Sequence, residues 1–172
     1  MTFAALFEKH RTEKPRAYGA VYDALPAPAR VLELGIKTGR SLLAWAERWP
    51  DAAVYGMDTV LGNLDPGVRA HPRVVVVEGD ATDPSHAPAD LLFDLIVDDV
   101  GYTSHEVSDQ LKIMRNYAAR VRPGGTYVVE DITTEEGLSE LIDTASRLGF
   151  LAWAVLHPPG LEFRVLVLTK EP

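Results

Sequence analysis

Residues 31–39 read VLELGIKTG, an apolar run that leads directly into a turn with glycines at Gly35 and Gly39. Most of the later apolar runs are likewise continuous, which is typical of strands that helices cover on both faces. These runs lie at residues 53–57, 74–77, 92–97 and 126–129. Because helical patterns separate several of them, the sequence predicts a central parallel sheet with helical crossovers.

The two ends of the chain follow other patterns. Two short amphipathic segments occur within residues 1–28 and predict a helical cover. Near the C-terminus, apolar runs at 150–156 and 162–168 are joined by the short link HPPG, which cannot form a helical crossover. We therefore predict one α/β domain over residues 1–172, with a doubly wound, mostly parallel, seven-stranded, Rossmann-like sheet and a C-terminal antiparallel hairpin.

Capping residues predict where the later helices begin and end. Apolar residues at helical spacing between Val107 and Val121 indicate a helix after the fourth strand, and the Pro-Gly-Gly at 123–125 is expected to end it. Thr133 is the expected N-cap of a further helix, because Glu136 completes a capping box with it.

Composition argues against several classes of function. The chain carries 17 basic and 25 acidic residues, for a formal charge of −8, which argues against a nucleic-acid partner. It has no cysteine, so any metal must be bound by oxygen or imidazole ligands. No apolar stretch approaches the length that spans a membrane, and we expect a soluble cytoplasmic protein.

Ligand-binding features follow each of the first three predicted strands, at the edge where open α/β sheets bind ligands. The turn between Gly35 and Gly39 allows close backbone approach and directs the amides of the next helix at a ligand. Asp58 ends the second strand, where it can accept hydrogen bonds from a ribose diol, and Asp80 ends the third. A glycine turn can also serve packing alone, and an aspartate can simply cap a turn. Three such features at successive strand ends favour a nucleotide-like ligand.

The spacing of the glycines restricts the identity of that ligand. A Gly-x-x-x-Gly turn lacks the Gly-x-Gly-x-x-Gly of dinucleotide-binding folds, so a nicotinamide cofactor is disfavoured. Residues 35–41 also differ from a phosphate-binding loop, because they have one residue too few between the glycines and Arg40 in place of the lysine. An oxidoreductase and a nucleoside triphosphatase are therefore both disfavoured.

Two acidic pairs, Asp98-Asp99 and Glu130-Asp131, end the fourth and fifth predicted strands. If these strands are neighbours, the pairs lie side by side, and like charges that close require a cation. Carboxylates from two strand ends form a hard oxygen site suited to Mg²⁺, which can also accept substrate oxygens. The alternative is that Asp98 or Asp99 only caps a turn and that Glu130 faces solvent.

Together these motifs resemble the class I S-adenosylmethionine-dependent methyltransferases, over nearly the whole chain from Val31 to Thr169. The resemblance implies that the glycine loop holds the methionine part of the cofactor, that Asp58 binds the ribose, and that Asp80 lies at the adenine edge. The implied cofactor contacts are Glu33, Gly35, Ile36, Lys37, Thr38, Gly39, Asp58, Thr59, Asp80, Ala81 and Asp98.

The region around the acidic pairs resembles the metal-dependent macrocin and mycinamicin sugar O-methyltransferases, and more distantly catechol O-methyltransferase. The resemblance rests on IVDD at 96–99 and on RPGGTYVVED at 122–131. It implies that Asp98, Glu130 and Asp131 are ligands of Mg²⁺.

His105 is a candidate general base, because it lies at the start of the next predicted helix, where the dipole favours neutral imidazole. The family pattern it resembles is Asp-Asp-Gly-Ser-His, and here the histidine lies three residues further along. An ungapped match places Tyr102 at the histidine position. A solvent-facing histidine without a chemical role is the alternative, and Asp98, Tyr102 and His105 are the candidate catalytic residues.

The resemblance implies transfer of a methyl group from S-adenosylmethionine to a hydroxyl of a small molecule in antibiotic or other natural-product biosynthesis. Because the chain is close to the minimal fold, the substrate must be covered by the N-terminal helices, by the loop at residues 59–70 or by a second subunit, and a homodimer is the hypothesis that follows from the third of these. The alternative is a protein of the same fold that binds S-adenosylmethionine without methyl transfer, in a structural or pericyclase-like role. Cofactor binding without any methylated product would favour that alternative.

Overall fold

One sheet organises the chain, with five parallel strands followed by an antiparallel hairpin. The computed structural model describes residues 1–86, 90–100 and 107–172, and only the backbone at 152 and 153. The strands are β1 Arg30–Leu34, β2 Ala53–Asp58, β3 Val74–Glu78, β4 Phe93–Asp98, β5 Val121–Ile132, β6 Phe150–Leu156 and β7 Arg164–Lys170. Their order across the sheet is β3-β2-β1-β4-β5-β7-β6. The predicted fold class and the C-terminal hairpin are confirmed.

Helices cover both faces of this sheet and enclose two apolar cores. They are α1 Phe3–His10, α2 Gly19–Asp23, α3 Arg40–Arg48, α4 Pro66–Ala70, α5 Val107–Tyr117 and α6 Glu135–Arg147. The first four contribute buried side chains to one core and the last two to the other. Among the described residues, no helix is both long and apolar enough to cross a membrane.

The strand order reverses between β1 and β4, which defines the ligand-binding edge of the sheet. Strand β1 is parallel to both neighbours, and Leu32 pairs with Tyr55 on one side and with Ile96 on the other. After β3 the chain returns to the centre of the sheet, so the loops that follow β1 and β4 diverge. In open α/β sheets the crevice at this point binds ligands.

An aromatic cluster fixes the N-terminal helices against α3. The ring centroid of Trp45 lies 4.9 Å from that of Phe3, 5.7 Å from Phe7 and 4.6 Å from Tyr22. All four side chains are buried, and aromatic pairs of this kind contribute about 0.5–1.5 kcal/mol each beyond the burial of their area. The connection between α1 and α2 is thereby held at the carboxyl edge of β1 and β5.

The predicted end of the fifth helix is wrong. Helix α5 ends at Tyr117, and β5 begins at Val121, so the Pro-Gly-Gly at 123–125 lies inside a strand instead of ending a helix. Val121 pairs with Phe93, and the register of β4 and β5 then shifts before Leu95. The glycines accommodate this irregular start, since Gly124 has a φ of +74°.

The predicted cap of the last helix is displaced by one residue. The N-cap of α6 is Thr134, whose hydroxyl oxygen accepts a hydrogen bond from the amide of Gly137 at 3.0 Å. Thr133 was expected there because Glu136 follows it at capping-box spacing. An adjacent threonine offers the same hydroxyl, and the sequence pattern alone cannot distinguish the two.

Candidate functional site

The glycine turn after β1 packs against the end of β4. Gly35 has a φ of +82°, and a Cβ added to it would lie 2.4 Å from the carbonyl oxygen of Asp99. Only glycine fits that approach without movement of the backbone. The amide of Gly35 donates to the carbonyl of Met57 at 2.9 Å, and the amide of Asp99 donates to the carbonyl of Leu34 at 2.9 Å. These bonds hold the ends of β1, β2 and β4 together.

Asp58 and the glycine loop are in direct contact. Its carboxylate Oδ2 accepts hydrogen bonds from the amides of Ile36 and Lys37, at 2.9 and 2.7 Å. Lys37 adopts a positive φ of 50°, which turns its amide toward this carboxylate. The other oxygen, Oδ1, accepts from the amide of Val60 at 3.2 Å and from the hydroxyl of Thr59 at 3.5 Å. The loop is thus preorganised by the acid that ends β2.

Asp80 lies further from this contact, beyond the end of β3. Its Oδ1 accepts from both the amide and the hydroxyl of Thr82, each at 2.8 Å, so that it caps its own turn. The following residue, Ala81, is buried, and its carbonyl accepts from Asn116 Nδ2 at 3.3 Å. Asp80 and Ala81 therefore lie at the same edge of the sheet as Asp58 but apart from its contact with the glycine loop.

Asp98 is a buried carboxyl group with neutral donors around it. Its Oδ2 accepts from the hydroxyl of Tyr127 at 3.0 Å, and its Oδ1 accepts from the amide of Val100 at 3.3 Å. The residue is fully buried, and this burial raises the pKa of Asp98 to about 8, although the Tyr127 hydrogen bond opposes the rise. At neutral pH this group is a carboxylic acid more than a carboxylate.

Lys14 lies at the centre of a cluster of three carboxylates on the opposite face of the sheet. Its ammonium is 3.0 Å from Glu33 Oε1, 2.8 Å from Asp99 Oδ2 and 2.5 Å from Glu130 Oε2. The side chains of Lys14, Glu33 and Glu130 are buried, and that of Asp99 is partly exposed. A buried ammonium with several carboxylate partners neutralises charge that water cannot reach.

Glu33 is bonded on both of its oxygens by groups of the chain. Its Oε2 accepts from the hydroxyl of Ser41 and from the indole N–H of Trp45, both at 2.7 Å, while Oε1 meets Lys14. The acid therefore fixes the start of helix α3 and the lysine at once. Glu33 is only 1% exposed, so it supports the glycine loop from inside the protein.

A bulge near the end of β5 turns Glu130 and Asp131 toward the same face. Successive side chains of a regular strand point to opposite faces, but Asp131 has a φ of +56° and the pairing with β7 shifts in register around it. The hydroxyl of Tyr22 donates to Glu130, and that of Tyr18 donates to Asp131. Both acids are thus bound by side chains from the N-terminal segment.

The Lys14 ammonium and the carboxylates around it shift one another's pKa values. Burial alone would lower the pKa of Lys14, but the charges of Asp99, Glu130 and Glu33 outweigh it and hold that pKa well above its usual value. Burial raises the pKa of Asp99 and of Glu130, and Lys14 opposes the rise in both. We conclude that Lys14 is charged and that it is the cation of this cluster.

Carboxylate oxygens are the type of ligand that Mg²⁺ prefers. The arrangement of these carboxylates in the structure, however, does not suit a bound Mg²⁺ ion. Asp99 and Glu130 supply hard carboxylate oxygens to one point, but that point is occupied by the Lys14 ammonium. Within residues 1–86, 90–100 and 107–172, no group of three or more acidic or histidine side chains is arranged to hold a metal ion. Asp98 is not part of the cluster, because it pairs with Val129 and faces Tyr127 on the other side of the sheet.

The connection between α1 and α2 also contacts the glycine loop. The carboxylate of Glu13 accepts from the hydroxyl of Thr38, at 3.0 and 2.9 Å to its two oxygens. Within the loop, the amide of Gly39 donates to the carbonyl of Ile36 at 2.6 Å. Because Lys14 is the next residue, one short segment spans both the loop and the carboxylate cluster.

A family model described as FtsJ-like methyltransferase matches residues 18–161 of this chain. The chain belongs to the FtsJ-like methyltransferase family. The match begins after Lys14 and includes every other residue of the carboxylate cluster. Membership agrees with the predicted resemblance to methyltransferases and with the observed strand order.

Curated relatives of this FtsJ-like methyltransferase act on small molecules according to their names. A trans-aconitate 2-methyltransferase of Methylobacterium nodulans is 32% identical over 130 residues, which cover 74% of this chain and 48% of the relative. The 8-demethyl-8-alpha-L-rhamnosyl tetracenomycin-C 2'-O-methyltransferase of Streptomyces olivaceus is 30% identical, over 86% of this chain and 43% of the relative. The chain therefore spans less than half the length of these two relatives.

Solved structures share the fold of this FtsJ-like methyltransferase. The MycE methyltransferase from the mycinamycin biosynthetic pathway, in complex with Mg, SAH and mycinamycin VI, has a TM-score of 0.75 and 22% identity. The alignment covers 99% of this chain and 54% of that chain. At this identity the likeness establishes the fold alone.

Several residues in or beside the carboxylate cluster of this FtsJ-like methyltransferase are not indicated by its sequence. Lys14 carries no local signal, and Tyr18 and Tyr22 lie in the stretch 1–28 that the sequence predicts only as an amphipathic helical cover. The family resemblance implies Asp98 as a metal ligand, whereas the structure brings the adjacent Asp99 into the cluster. His105 and Tyr102 lie outside the described residues.

Proposed function

We propose that this chain binds S-adenosylmethionine at the carboxyl ends of β1 and β2 and transfers its methyl group to a hydroxyl of a small molecule. The observation that carries this proposal is the contact between Asp58 and the amides of Ile36 and Lys37, at 2.9 and 2.7 Å, in a chain of a methyltransferase family. A preorganised glycine loop at the switch point of the sheet supports a nucleoside-like cofactor. The enzyme brings the methyl donor and the acceptor together.

Each part of the cofactor has proposed partners among the residues at this edge. The loop from Gly35 to Gly39 binds the methionine part, Asp58 with Thr59 binds the ribose, and Asp80 with Ala81 lines the adenine. Asp58 is suited to the ribose because a carboxylate accepts two hydroxyl hydrogen bonds. Asp80 is exposed, which supports a position for its side chain beside the adenine base.

Glu33 and Asp98 have a supporting role in this proposal. Both are buried, and their oxygens are bonded by Ser41, Trp45 and Tyr127. They fix the backbone and the charge around the cofactor without presenting a free oxygen to it. This replaces the expectation that Asp98 acts directly in catalysis.

We also propose Mg²⁺ as a second cofactor, with Asp99, Glu130 and Asp131 as its ligands. MycE, which shares the fold, was solved with Mg and SAH, and here Asp99 lies directly after β4 while Glu130 and Asp131 lie near the end of the neighbouring strand β5. When bound, Mg²⁺ supplies a Lewis acid that lowers the pKa of the acceptor hydroxyl. His105 is the proposed acceptor of the proton, and Tyr102 is proposed to contact the substrate.

The acceptor class and the assembly complete the proposal. Relatives named as rhamnosyl tetracenomycin and demethylmacrocin O-methyltransferases favour a hydroxyl of a glycosylated natural product, in antibiotic biosynthesis. We further propose a single cytoplasmic domain over residues 1–172 that forms a homodimer and has no nucleic-acid partner. A monomer mass by light scattering at assay concentration would rule out the homodimer.

Cofactor binding without methyl transfer is the less favoured function. The relatives reported above are all named as methyltransferases, including trans-aconitate, tetracenomycin and macrocin enzymes. The discriminating assay incubates the protein with S-adenosylmethionine, MgCl₂ and rhamnosides, macrolides or phenols. Release of S-adenosylhomocysteine only with an acceptor supports methyl transfer, whereas tight binding with no release from any acceptor supports the alternative.

Calorimetric titration with S-adenosylmethionine tests the cofactor site. Asp58→Ala is expected to weaken binding at least about tenfold, because both the loop and the ribose lose a charged hydrogen-bond partner. Asp51→Ala is the matched control, since Asp51 is an exposed aspartate before the opposite end of β2. Equal loss in both variants, or NADH binding in place of S-adenosylmethionine, would contradict the proposed site.

A further inference from the structure

The Lys14 side chain occupies the centre of the cluster to which the proposed function assigns a metal. Its ammonium lies 3.0 Å from Glu33, 2.8 Å from Asp99 and 2.5 Å from Glu130. The side chain is only 4% exposed, so water competes little for these contacts. The cluster therefore already holds a cation, which is a side chain of the chain itself.

A divalent cation at this place would need the oxygens that Lys14 now binds. Lys14 donates to Oδ2 of Asp99 and to Oε2 of Glu130. Mg²⁺ requires oxygen ligands at about 2.0–2.1 Å in near-octahedral geometry. An ammonium and a divalent ion within about 4 Å of each other in a buried site repel strongly. The two cations cannot share these carboxylates.

The position of Lys14 in the chain lets its ammonium leave the cluster. The residue lies in the irregular connection between α1 and the 3-10 turn at Arg16–Tyr18, outside any helix. A lysine ammonium ends a flexible four-carbon stem, so it can withdraw without breaking secondary structure. Tyr18 and Tyr22 hold the neighbouring carboxylates from separate positions.

We propose that the Lys14 ammonium and a divalent metal ion are alternative occupants of the Asp99 and Glu130 carboxylates. The metal binds by displacing Lys14, and Lys14 keeps the metal-free cluster neutralised. The inference rests on the proposed function, because that function calls for a metal at these acids. Lys14 therefore sets how tightly a metal ion must bind to Asp99 and Glu130 in order to displace the ammonium.

The charge balance gives the direction of the effect. Three carboxylates around one ammonium leave a formal charge of −2 when all are ionised, so an entering divalent ion neutralises more than the lysine does. Removal of the ammonium leaves the carboxylates in place without a competitor. Metal affinity should then rise, because the fraction of molecules with an open site increases.

Calorimetric titration with MgCl₂ and with MnCl₂, without other ligands, tests this inference. Lys14→Met is expected to bind either metal at least about tenfold more tightly than the unmodified protein. Lys14→Arg keeps the charge and should bind as weakly as the unmodified protein. Lys9→Met is the matched control, because Lys9 pairs with Glu47 on the surface and lies outside the cluster.

Equal or weaker metal binding by Lys14→Met would overturn the inference. If this variant is unfolded without metal, its thermal melting in excess MgCl₂ decides: a recovered cooperative transition supports displacement, and no transition overturns it. Titration of the unmodified protein with S-adenosylmethionine separates the two proposals. If the protein does not bind S-adenosylmethionine but Lys14→Met binds metal more tightly, the proposed function is wrong and the competition between lysine and metal stands. If the protein binds S-adenosylmethionine but Lys14→Met does not bind metal more tightly, only the competition is wrong.

Discussion

Two consecutive carboxyl groups at the end of β4, Asp98 and Asp99, have different surroundings on the two faces of the sheet. On one face Asp98 is bonded by the neutral hydroxyl of Tyr127, and burial raises its pKa to about 8. On the other face the adjacent Asp99 meets the Lys14 ammonium at 2.8 Å, together with Glu130. Consecutive residues thus occupy a neutral and an ionic environment.

This difference arises from strand geometry and from one cation. Side chains alternate along β4, so Asp98 and Asp99 point to opposite faces. The bulge at Asp131 places this residue on the same face as Glu130 and Asp99, which is the face of the ionic cluster. Burial raises the pKa of the acids on both faces, but only on the face of Asp99 and Glu130 does an ammonium, that of Lys14, oppose the rise. Residues with the same side chain therefore have separate chemical uses at one strand end.

Removal of the cation should have a large effect at neutral pH. Lys14→Met is expected to lower the free energy of unfolding by about 3–5 kcal/mol in EDTA, because it leaves buried carboxylates without their partner. Urea denaturation at neutral pH measures this change, and Lys14→Arg should lose much less. A loss below about 1 kcal/mol for Lys14→Met would show that the ionic face does not depend on its cation.

The neutral face should instead respond to pH. The folded pKa of Asp98, about 8, lies above its usual 3.8, so its contribution to stability is fully present below about pH 4 and is lost as pH rises through 8. Asp98→Asn should therefore gain stability relative to the unmodified protein by up to about 1.4 kcal/mol per pH unit between these values. Urea denaturation in EDTA at pH 5, 6.5 and 8 measures the difference. A constant difference would mean that Asp98 is ionised throughout.

Matched removal of the phenol hydroxyls should give a smaller contrast. Tyr22→Phe removes a donor to Glu130 in the ionic cluster and is expected to cost about 1.5–3 kcal/mol. Tyr127→Phe removes a donor to Asp98 and is expected to cost about 0.5–1.5 kcal/mol at pH 6, where that acid is protonated. Chemical denaturation of both variants at pH 6 checks the order. The reverse order would contradict the assignment of charge to the two faces.

The smallest effect should come from an ion pair outside both environments. Lys9 lies 2.6 Å from Glu47, with side chains 51% and 35% exposed. Lys9→Met is expected to change the free energy of unfolding by only about 0.2–1 kcal/mol, because solvent and salt screen the pair. The same denaturation series provides the measurement. A loss as large as that of Lys14→Met would remove burial as the cause of the difference.

The fold could be predicted because apolar runs and glycine turns are local signals. The pairing of distant acids could not, since it depends on register. Asp98 pairs with Val129, so Glu130 falls on the face of Asp99, and one residue of slip would reverse the choice. No local pattern reveals Lys14 as the cation either, because it lies 85 residues from Asp99 and 116 from Glu130.

Hydrogen exchange with and without S-adenosylmethionine is the most direct test of where the cofactor binds. Binding at the proposed edge predicts slower amide exchange in peptides that cover residues 34–43, 56–62 and 78–83, with little change in the hairpin at 150–170. Unchanged exchange at saturating S-adenosylmethionine, or protection confined to the hairpin, would contradict a cofactor site at the ends of β1, β2 and β3.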